Sequence, residues 1–304
     1  MVSGNHCVDI TQFKELYPFD SHFIHLKNGL AYHYIDEGRG DPILMLHGNP
    51  TWSFFYRELI KAFSLQYRTI VPDHIGCGLS SKPNAYEYDF RLKSRIADLD
   101  VLVKRLNLDQ NITLIVHDWG GMIGISWALD HLDKVKRLVV FNTAGFLPPS
   151  GKSIPKRLKL IRNVPAFGAP AVLGLNLFVL GALWMCTRKP LNRKVRTGLA
   201  APYYSPRSRL ATLKFVQDIP LYPEDPSYCI VASTDQRLNQ LNQISMLIIW
   251  GAHDFVFDRD YFDKWQRRFP KAETHYLNDA GHYVLEDQPD QCIALIRDFI
   301  QRHP

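Results

Sequence analysis

The chain has 304 residues, 46% hydrophobic, 22% charged and 12% aromatic, enough to bury a full core and too apolar for a disordered or fibrous chain. Its formal charge of +6 is unevenly spread: between Asp133 and Asp218 stand 16 Lys and Arg and no acidic residue, so the remainder sums to −10. Five scattered cysteines (Cys7, Cys77, Cys186, Cys229, Cys292) contain no C-x-x-C pair, which points to neither a disulfide framework nor a zinc site and fits a reducing compartment.

In chain order, the N-terminal MVSGNHCVDITQFKEL lacks a basic segment followed by an apolar run, so no secretory signal is expected and the cytoplasm is the expected compartment. Strand-like runs follow at Ile43–Leu46, Thr69–Val71, Ile112–Val116, Leu138–Phe141, Met246–Trp250 and Thr274–Leu277. Helix-like stretches lie between most of them, near Phe55–Leu65, Arg91–Leu106, Gly121–Leu132, Asp260–Phe269 and Asp290–Arg302. This alternation predicts an α/β fold with a mostly parallel central sheet flanked by helices. From Leu147 to Tyr222 the pattern breaks: the stretch is helical in flavour, holds nine prolines and shows no convincing strand. A helical cap inserted at 147–222, between core segments 1–146 and 223–304, is expected.

Ligands of open α/β sheets gather at the carboxyl ends of the strands, so the residues just past each apolar run come first. After Ile112–Val116 stands His117-Asp118-Trp119-Gly120-Gly121, running straight into a helix. It has the layout of a nucleophile elbow, with Asp118 where serine is usual; a helix-capping Asp is the plain alternative. After Leu44-Met45-Leu46 stands His47-Gly48-Asn49-Pro50, a loop suited to donate a backbone N–H to an oxyanion. His253-Asp254 follows the Met246–Trp250 run and Asp279-Ala280-Gly281-His282 the Thr274–Leu277 run. Nucleophile, acid and His thus occur in the order Asp118, Asp254, His282, as in α/β-hydrolases.

An Asp nucleophile dictates a two-step scheme. A carboxylate, ionised at neutral pH with a free pKa of about 3.9, attacks an sp³ carbon directly and forms an alkyl ester. His282 then deprotonates a water that attacks the Asp118 carbonyl carbon, while Asp254 orients the ring. The backbone N–H groups of Asn49 and Trp119 hold the oxyanion. For the leaving group, the Trp119 indole N–H and the Asn49 amide suit a bare anion such as halide. Core packing is the bland reading of Trp119. Every group in the scheme is an amino-acid side chain or backbone N–H, and neither a cofactor nor a metal is expected.

At these residues the sequence resembles the haloalkane dehalogenases. The likeness rests on HGNPTWSFFYR (His47–Arg57), DHIGCGLS (Asp73–Ser80), HDWGGMIG (His117–Gly124), WGAHD (Trp250–Asp254) and DAGHYVLED (Asp279–Asp287). The resemblance implies Asp118 as nucleophile, His282 as base, and Asn49 with Trp119 as the halide-binding pair. Some members carry a Glu acid after strand six; here that place reads Phe141-Asn142-Thr143, and the acid falls to Asp254, a mixture that looks like the third dehalogenase subfamily. That subfamily is similar to the β-lactone decarboxylases of bacterial long-chain olefin synthesis, which share the nucleophile and anion pair but release CO₂ and olefin. The motif residues do not separate the two activities. Carbon–halogen hydrolysis is the first expectation and decarboxylation of a long-chain cis-β-lactone the alternative. An epoxide hydrolase would use cap tyrosines such as Tyr203 and Tyr204, and Asn49 argues against it. Fluoroacetate dehalogenases resemble HDRGG, where this chain has Trp119. A non-catalytic docking protein on this fold would be recognised by a missing Asp118 or His282.

The basic block brackets an uncharged run of 25 residues, Asn163 to Thr187. A membrane span is admitted by length, but Pro165 and Pro170 disrupt its start, and an apolar roof over the active site is preferred. With 13 positive charges from Lys152 to Lys214, the cap is also expected to suit peripheral contact with an anionic membrane and self-association; no nucleic-acid motif is present. The expected partners are a small apolar substrate and, in the dehalogenase reading, halide.

Overall fold

The computed structural model describes residues 8–149 and 151–304; Cys7 and the first seven residues of the N-terminal segment lie outside them. Among the described residues eight strands make one sheet: β1 His22–His25, β2 Ala31–Glu37, β3 Pro42–Leu46, β4 Arg68–Pro72, β5 Ile112–Val116, β6 Val135–Val140, β7 Ser245–Gly251 and β8 Glu273–Leu277. Their spatial order is β1-β2-β4-β3-β5-β6-β7-β8. From β4 across to β8 every pairing is parallel, while β1–β2 and β2–β4 are antiparallel.

Strands β3 to β8 fall on the six apolar runs, and the reason those runs are continuous is visible in the packing. Leu44 and Leu46 of β3 join the core on one face and Ile43 and Met45 the core on the other. A strand covered on both faces shows no polar alternation. The antiparallel pair β1–β2 is an addition to the expected sheet. Only Ile24 of β1 is buried, and β2 turns His33 inward, where its Nδ1 lies 2.7 Å from Asp73 Oδ2 with both side chains fully buried. An edge strand and an inward histidine hide the signal.

The helices before β6 are α1 Arg57–Phe63, α2 Leu92–Arg105 and α3 Trp119–Leu129. Between β6 and β7 come α4 Lys156–Asn163, α5 Pro165–Ala169, α6 Leu177–Met185, α7 Arg193–Ala200, α8 Leu210–Gln217 and α9 Tyr228–Arg237. The chain ends with α10 Arg259–Arg268, α11 Val284–Asp287 and α12 Pro289–Arg302. Leu99, Leu102 and Val103 of α2 and Ile123 and Trp127 of α3 back one sheet face; Leu59 and Ile60 of α1 and Ile296 and Phe299 of α12 back the other.

The long uncharged run is broken. Pro165 sits in the first turn of α5, a π-helical turn follows at Pro170–Gly174, and Asn176, at φ +56°, precedes α6. Pro170 lacks the N–H that an α-helix continuing from α5 would need. Among the described residues no single helix is long and apolar enough to cross a membrane, and the two halves of this run are bent by 75°.

Candidate active site

The turn between β5 and α3 puts Asp118 at φ +50°, ψ −127°, a backbone conformation that L-residues rarely adopt. Its side chain caps nothing in α3, which removes the helix-cap reading. Small neighbours make the turn feasible: a Cβ on Gly120 would overlap the Leu46 carbonyl, and one on Gly48 would overlap the Asp118 carboxylate itself. Thr143 Oγ1 donates to the Asp118 carbonyl, tying the turn to the end of β6.

The structure brings Asp118, His282 and Asp254 together. Asp118 is buried, and its Oδ1 accepts the Asn49 backbone N–H at 2.7 Å. The Trp119 backbone N–H also favours the charged form of this carboxylate. Of the two N–H groups expected as oxyanion donors, that of Asn49 holds the Asp118 carboxyl and that of Trp119 favours its charge, where the oxyanion of an ester on this residue would develop. On the other side, His282 Nε2 lies 3.7 Å from Asp118 Oδ2, an ion-pair distance but too long for a hydrogen bond. His282 Nδ1 meets Asp254 Oδ2 at 2.6 Å, and Asp254 Oδ1 accepts the Val256 and Phe257 backbone N–H groups at 2.7 and 3.0 Å.

Burial pushes the Asp118 carboxyl above its ordinary range, opposed by the His282 charge and by the Trp119 and Asn49 N–H groups. For His282 burial is the largest single influence and pulls downward. The charge and hydrogen bond of Asp254, with the charge of Asp118, outweigh it and hold the imidazole above its ordinary value.

Asn49 and Trp119 both line an apolar cavity of about 300 Å³ that ends on Asp118 and His282. The Trp119 ring packs against Phe215, with centroids 5.3 Å apart. Asn49 departs from the expected picture in one respect. Its Nδ2 donates to the Thr212 carbonyl of α8 at 3.0 Å, so one amide proton is committed and one is left for a leaving group, while the buried Oδ1 has no partner among the described residues. Asn142, in the place where some relatives carry the acid, is a clamp: it donates to the Gly251 carbonyl at 3.0 Å and accepts the Gly251 N–H at 2.8 Å, joining the ends of β6 and β7. Tyr203 and Tyr204 do not line the cavity; the buried Tyr203 hydroxyl donates to the Thr51 carbonyl at 3.3 Å. Among the described residues no group of three or more His, Cys, Asp or Glu is arranged to hold a metal ion.

Several positioning residues escaped the sequence reading. His117 Nε2 lies 2.9 Å from the His282 carbonyl, and the two rings sit 4.6 Å apart. Burial and the His282 charge press His117 well below its ordinary value, so it stays neutral and donates. The two acids that end the DAGHYVLED motif anchor the same loop. Glu286 forms a buried two-pronged pair with Arg57 at 2.6 and 2.7 Å. Asp287 accepts the backbone N–H groups of Gly281, Arg188 and Lys189 at 2.8 to 3.1 Å. Tyr283 N–H adds a bond to the Cys186 carbonyl at 2.7 Å. The loop that carries His282 is thus tied to α1 through Arg57 and to the segment after α6 through Asp287 and Tyr283. Their presence in the quoted motifs was the available signal.

A family described as alpha/beta hydrolase fold matches residues 41–289. A protein named cis-3-alkyl-4-alkyloxetan-2-one decarboxylase from Shewanella oneidensis is 45% identical over 286 residues, 94% of this chain and 89% of the relative. One named haloalkane dehalogenase 2 from Mycobacterium bovis is 30% identical over 290 residues, 95% of this chain and 98% of the relative. Among solved structures, a haloalkane dehalogenase from Agrobacterium tumefaciens C58 superposes with a TM-score of 0.83 at 25% identity, covering 94% of this chain and 97% of that one.

Proposed function

This chain belongs to the alpha/beta hydrolase fold family, and we propose that within it the chain is a decarboxylase of cis-3-alkyl-4-alkyloxetan-2-ones, β-lactones bearing two alkyl chains. The observation that carries this reading is the 45% identity, nearly end to end, with a protein of that name, against 30% with the dehalogenase. The order expected from the motifs, carbon–halogen hydrolysis first, is thereby reversed. The motifs hold the residues of the first step, and both reactions begin with that step. An almost wholly apolar cavity suits alkyl chains in either case.

The chemistry follows from the placement of Asp118. With Oδ1 gripped by the Asn49 N–H, the other oxygen attacks C4 of the lactone. The C4–O bond breaks and its electron pair stays on the substrate as a carboxylate, received by the Trp119 indole N–H and the remaining Asn49 amide proton. Attack from the face opposite the departing oxygen leaves the new C4–O(Asp118) bond antiperiplanar to the bond joining C3 to the carboxylate. That second bond then breaks with loss of CO₂, its electron pair forms the C3=C4 double bond, and the Asp118 carboxylate leaves with the pair of the ester C–O bond. Both alkyl groups remain on one side, so a cis lactone gives a cis olefin. No water and no proton are consumed.

A second reading, haloalkane dehalogenation, is favoured by one observation: His282, held by Asp254 at 2.6 Å, is placed to activate a water against an Asp118 ester. The test offers the purified protein a cis-3,4-dialkyl-oxetan-2-one and, separately, a 1-bromoalkane, following olefin and CO₂ in one case and bromide in the other. Olefin and CO₂ formed faster than bromide support the decarboxylase; bromide release without olefin removes it in favour of the second reading.

A further inference from the structure

The catalytic cavity opens onto a surface that takes no part in the chemistry. Leu160, Phe167, Leu177, Met185 and Phe255 line the cavity and are also 39 to 51% exposed, so its mouth is rimmed by large apolar side chains standing in solvent. The apolar surface continues through Val164, Leu175, Leu180 and Trp184, the last 66% exposed. The segments that carry these side chains, α4, α5, the π-helical turn and α6, pack successively on one another. A patch of this kind with a polar rim marks an interaction site.

The rim is cationic, and part of its charge is unpaired. Lys152, Arg162, Lys194 and Arg207 of the basic block pair with Asp258 and Asp260, Asp225, Glu15 and Glu87. Among the described residues, Lys156, Arg157 and Lys159 on α4 and Arg188, Lys189 and Arg193 beyond α6 are exposed and form no ion pair with a carboxylate. The basic block adjoins the apolar patch: Arg157 Nη1 lies 2.7 Å from Met185 Sδ, and the guanidinium of the half-buried Arg196 sits 5.3 Å from the Trp184 ring.

We propose that this face docks on an anionic lipid bilayer, the exposed side chains of α5 and α6 entering the headgroup–acyl boundary, the free cations meeting phosphate headgroups, and the cavity mouth opening toward the acyl chains. Charge complementarity and the continuity of the patch with the cavity select this occupant. A substrate with two alkyl chains partitions into a bilayer, and a mouth pressed against it admits that substrate without passage through water. Delivery of such a substrate rests on the decarboxylase reading; docking itself does not.

The test is sedimentation of the full chain with vesicles of phosphatidylcholine, with and without about one-third phosphatidylglycerol. At low salt, binding to the anionic vesicles is expected to exceed binding to neutral ones at least tenfold and to fall away at high salt, as screening shortens the reach of the charges. Replacing Lys156, Lys159, Lys189 and Arg193 by Gln together should weaken it about fivefold per charge. Leu180→Ser with Trp184→Ser should weaken it at least tenfold, at an unchanged melting temperature. The proposal is overturned by no binding at low salt, by equal binding to neutral vesicles, or by a fourfold Gln variant that binds like the parent. It is also overturned by a solution dimer that the Leu180→Ser, Trp184→Ser variant dissolves, which would assign the patch to a second copy. Since the assay needs no turnover, its failure and failure of the reaction scheme are read separately.

Discussion

Replacing Asp287 by Asn probes how the loop bearing His282 is held. The carboxylate is buried; Oδ1 accepts the Arg188 and Lys189 N–H groups at 2.9 and 3.1 Å, and Oδ2 accepts those of Gly281 and Arg188 at 2.8 and 3.0 Å. An amide of the same shape keeps only one acceptor oxygen. Turned to retain Arg188 and Lys189, it sets its NH₂ against the Gly281 N–H, next to His282. Turned the other way, it abandons Lys189. The first orientation leaves the buried Gly281 donor unpaired, at about 1–3 kcal/mol, and both reduce charge-assisted bonds to neutral ones of roughly half their strength. Asp287→Asn is therefore expected to lower the unfolding free energy in urea by about 2–3 kcal/mol. A shift of about 1 Å at a catalytic group costs on the order of 10²-fold in rate, so kcat should fall about ten- to a hundredfold with KM changing less. A variant with unchanged urea midpoint and unchanged kcat would refute the claim that Asp287 positions the loop.

The remaining expectations concern the charges at the reacting centre. Burial raises Asp118 in the folded protein, so its ionised form costs stability, absent below the free value of about 3.9 and growing as pH rises through the folded value. Asp118→Asn should therefore abolish turnover and raise the melting temperature at pH 7, with the gain vanishing in acid; a lower melting temperature at pH 7 would contradict this. His282→Phe, incubated with a 1-bromoalkane, should accumulate an alkyl ester on Asp118, read as added mass on the peptide that contains it. Wild-type bromide turnover in that variant sinks the two-step route. In the parent protein, ester hydrolysis needs neutral His282, whose value is raised above 6.5, mainly by Asp254 against the pull of burial. Bromide release should thus have its acid-side half-point above that value, whereas olefin formation, which needs only ionised Asp118, should persist to lower pH. Coincident acid limbs in the two rate profiles would assign one base to both reactions.

The parts of the fold legible in the sequence were those written in contiguous residues. Strands β3 to β7, buried along most of their length, announce themselves as apolar runs, while the edge strand β8 buries only Leu277; each chemical side chain stands in the loop beyond one of these strands. Asp118, Asn49, Trp119, Asp254 and His282 could therefore be located one loop at a time, and the structure sets four of them around one cavity with Asp254 behind His282. What was not legible depends on partners far away in the chain. His33 makes sense inside β2 only once Asp73, forty residues on, is seen beside it. The same holds for Glu286, whose partner Arg57 is 229 residues distant, and for Asp287, whose acceptor role is written in backbone N–H groups that no side-chain pattern records. Nothing in the loop of Asn49 announces the Thr212 carbonyl that takes one of its amide protons. For the uncharged run, the two prolines were legible as breaks, while the bend at Asn176 needed coordinates.

The fate of water separates the two reactions proposed to begin at Asp118. The measurement is turnover of a cis-3,4-dialkyl-oxetan-2-one in H₂¹⁸O over many cycles, followed by mass analysis of the product and of the peptide containing Asp118. Fragmentation of the Asp118 ester is expected to yield cis olefin with no ¹⁸O in the peptide, because no water attacks the carboxyl carbon. A β-hydroxy acid as product, with ¹⁸O entering Asp118, would contradict the decarboxylase account and assign the site to hydrolysis.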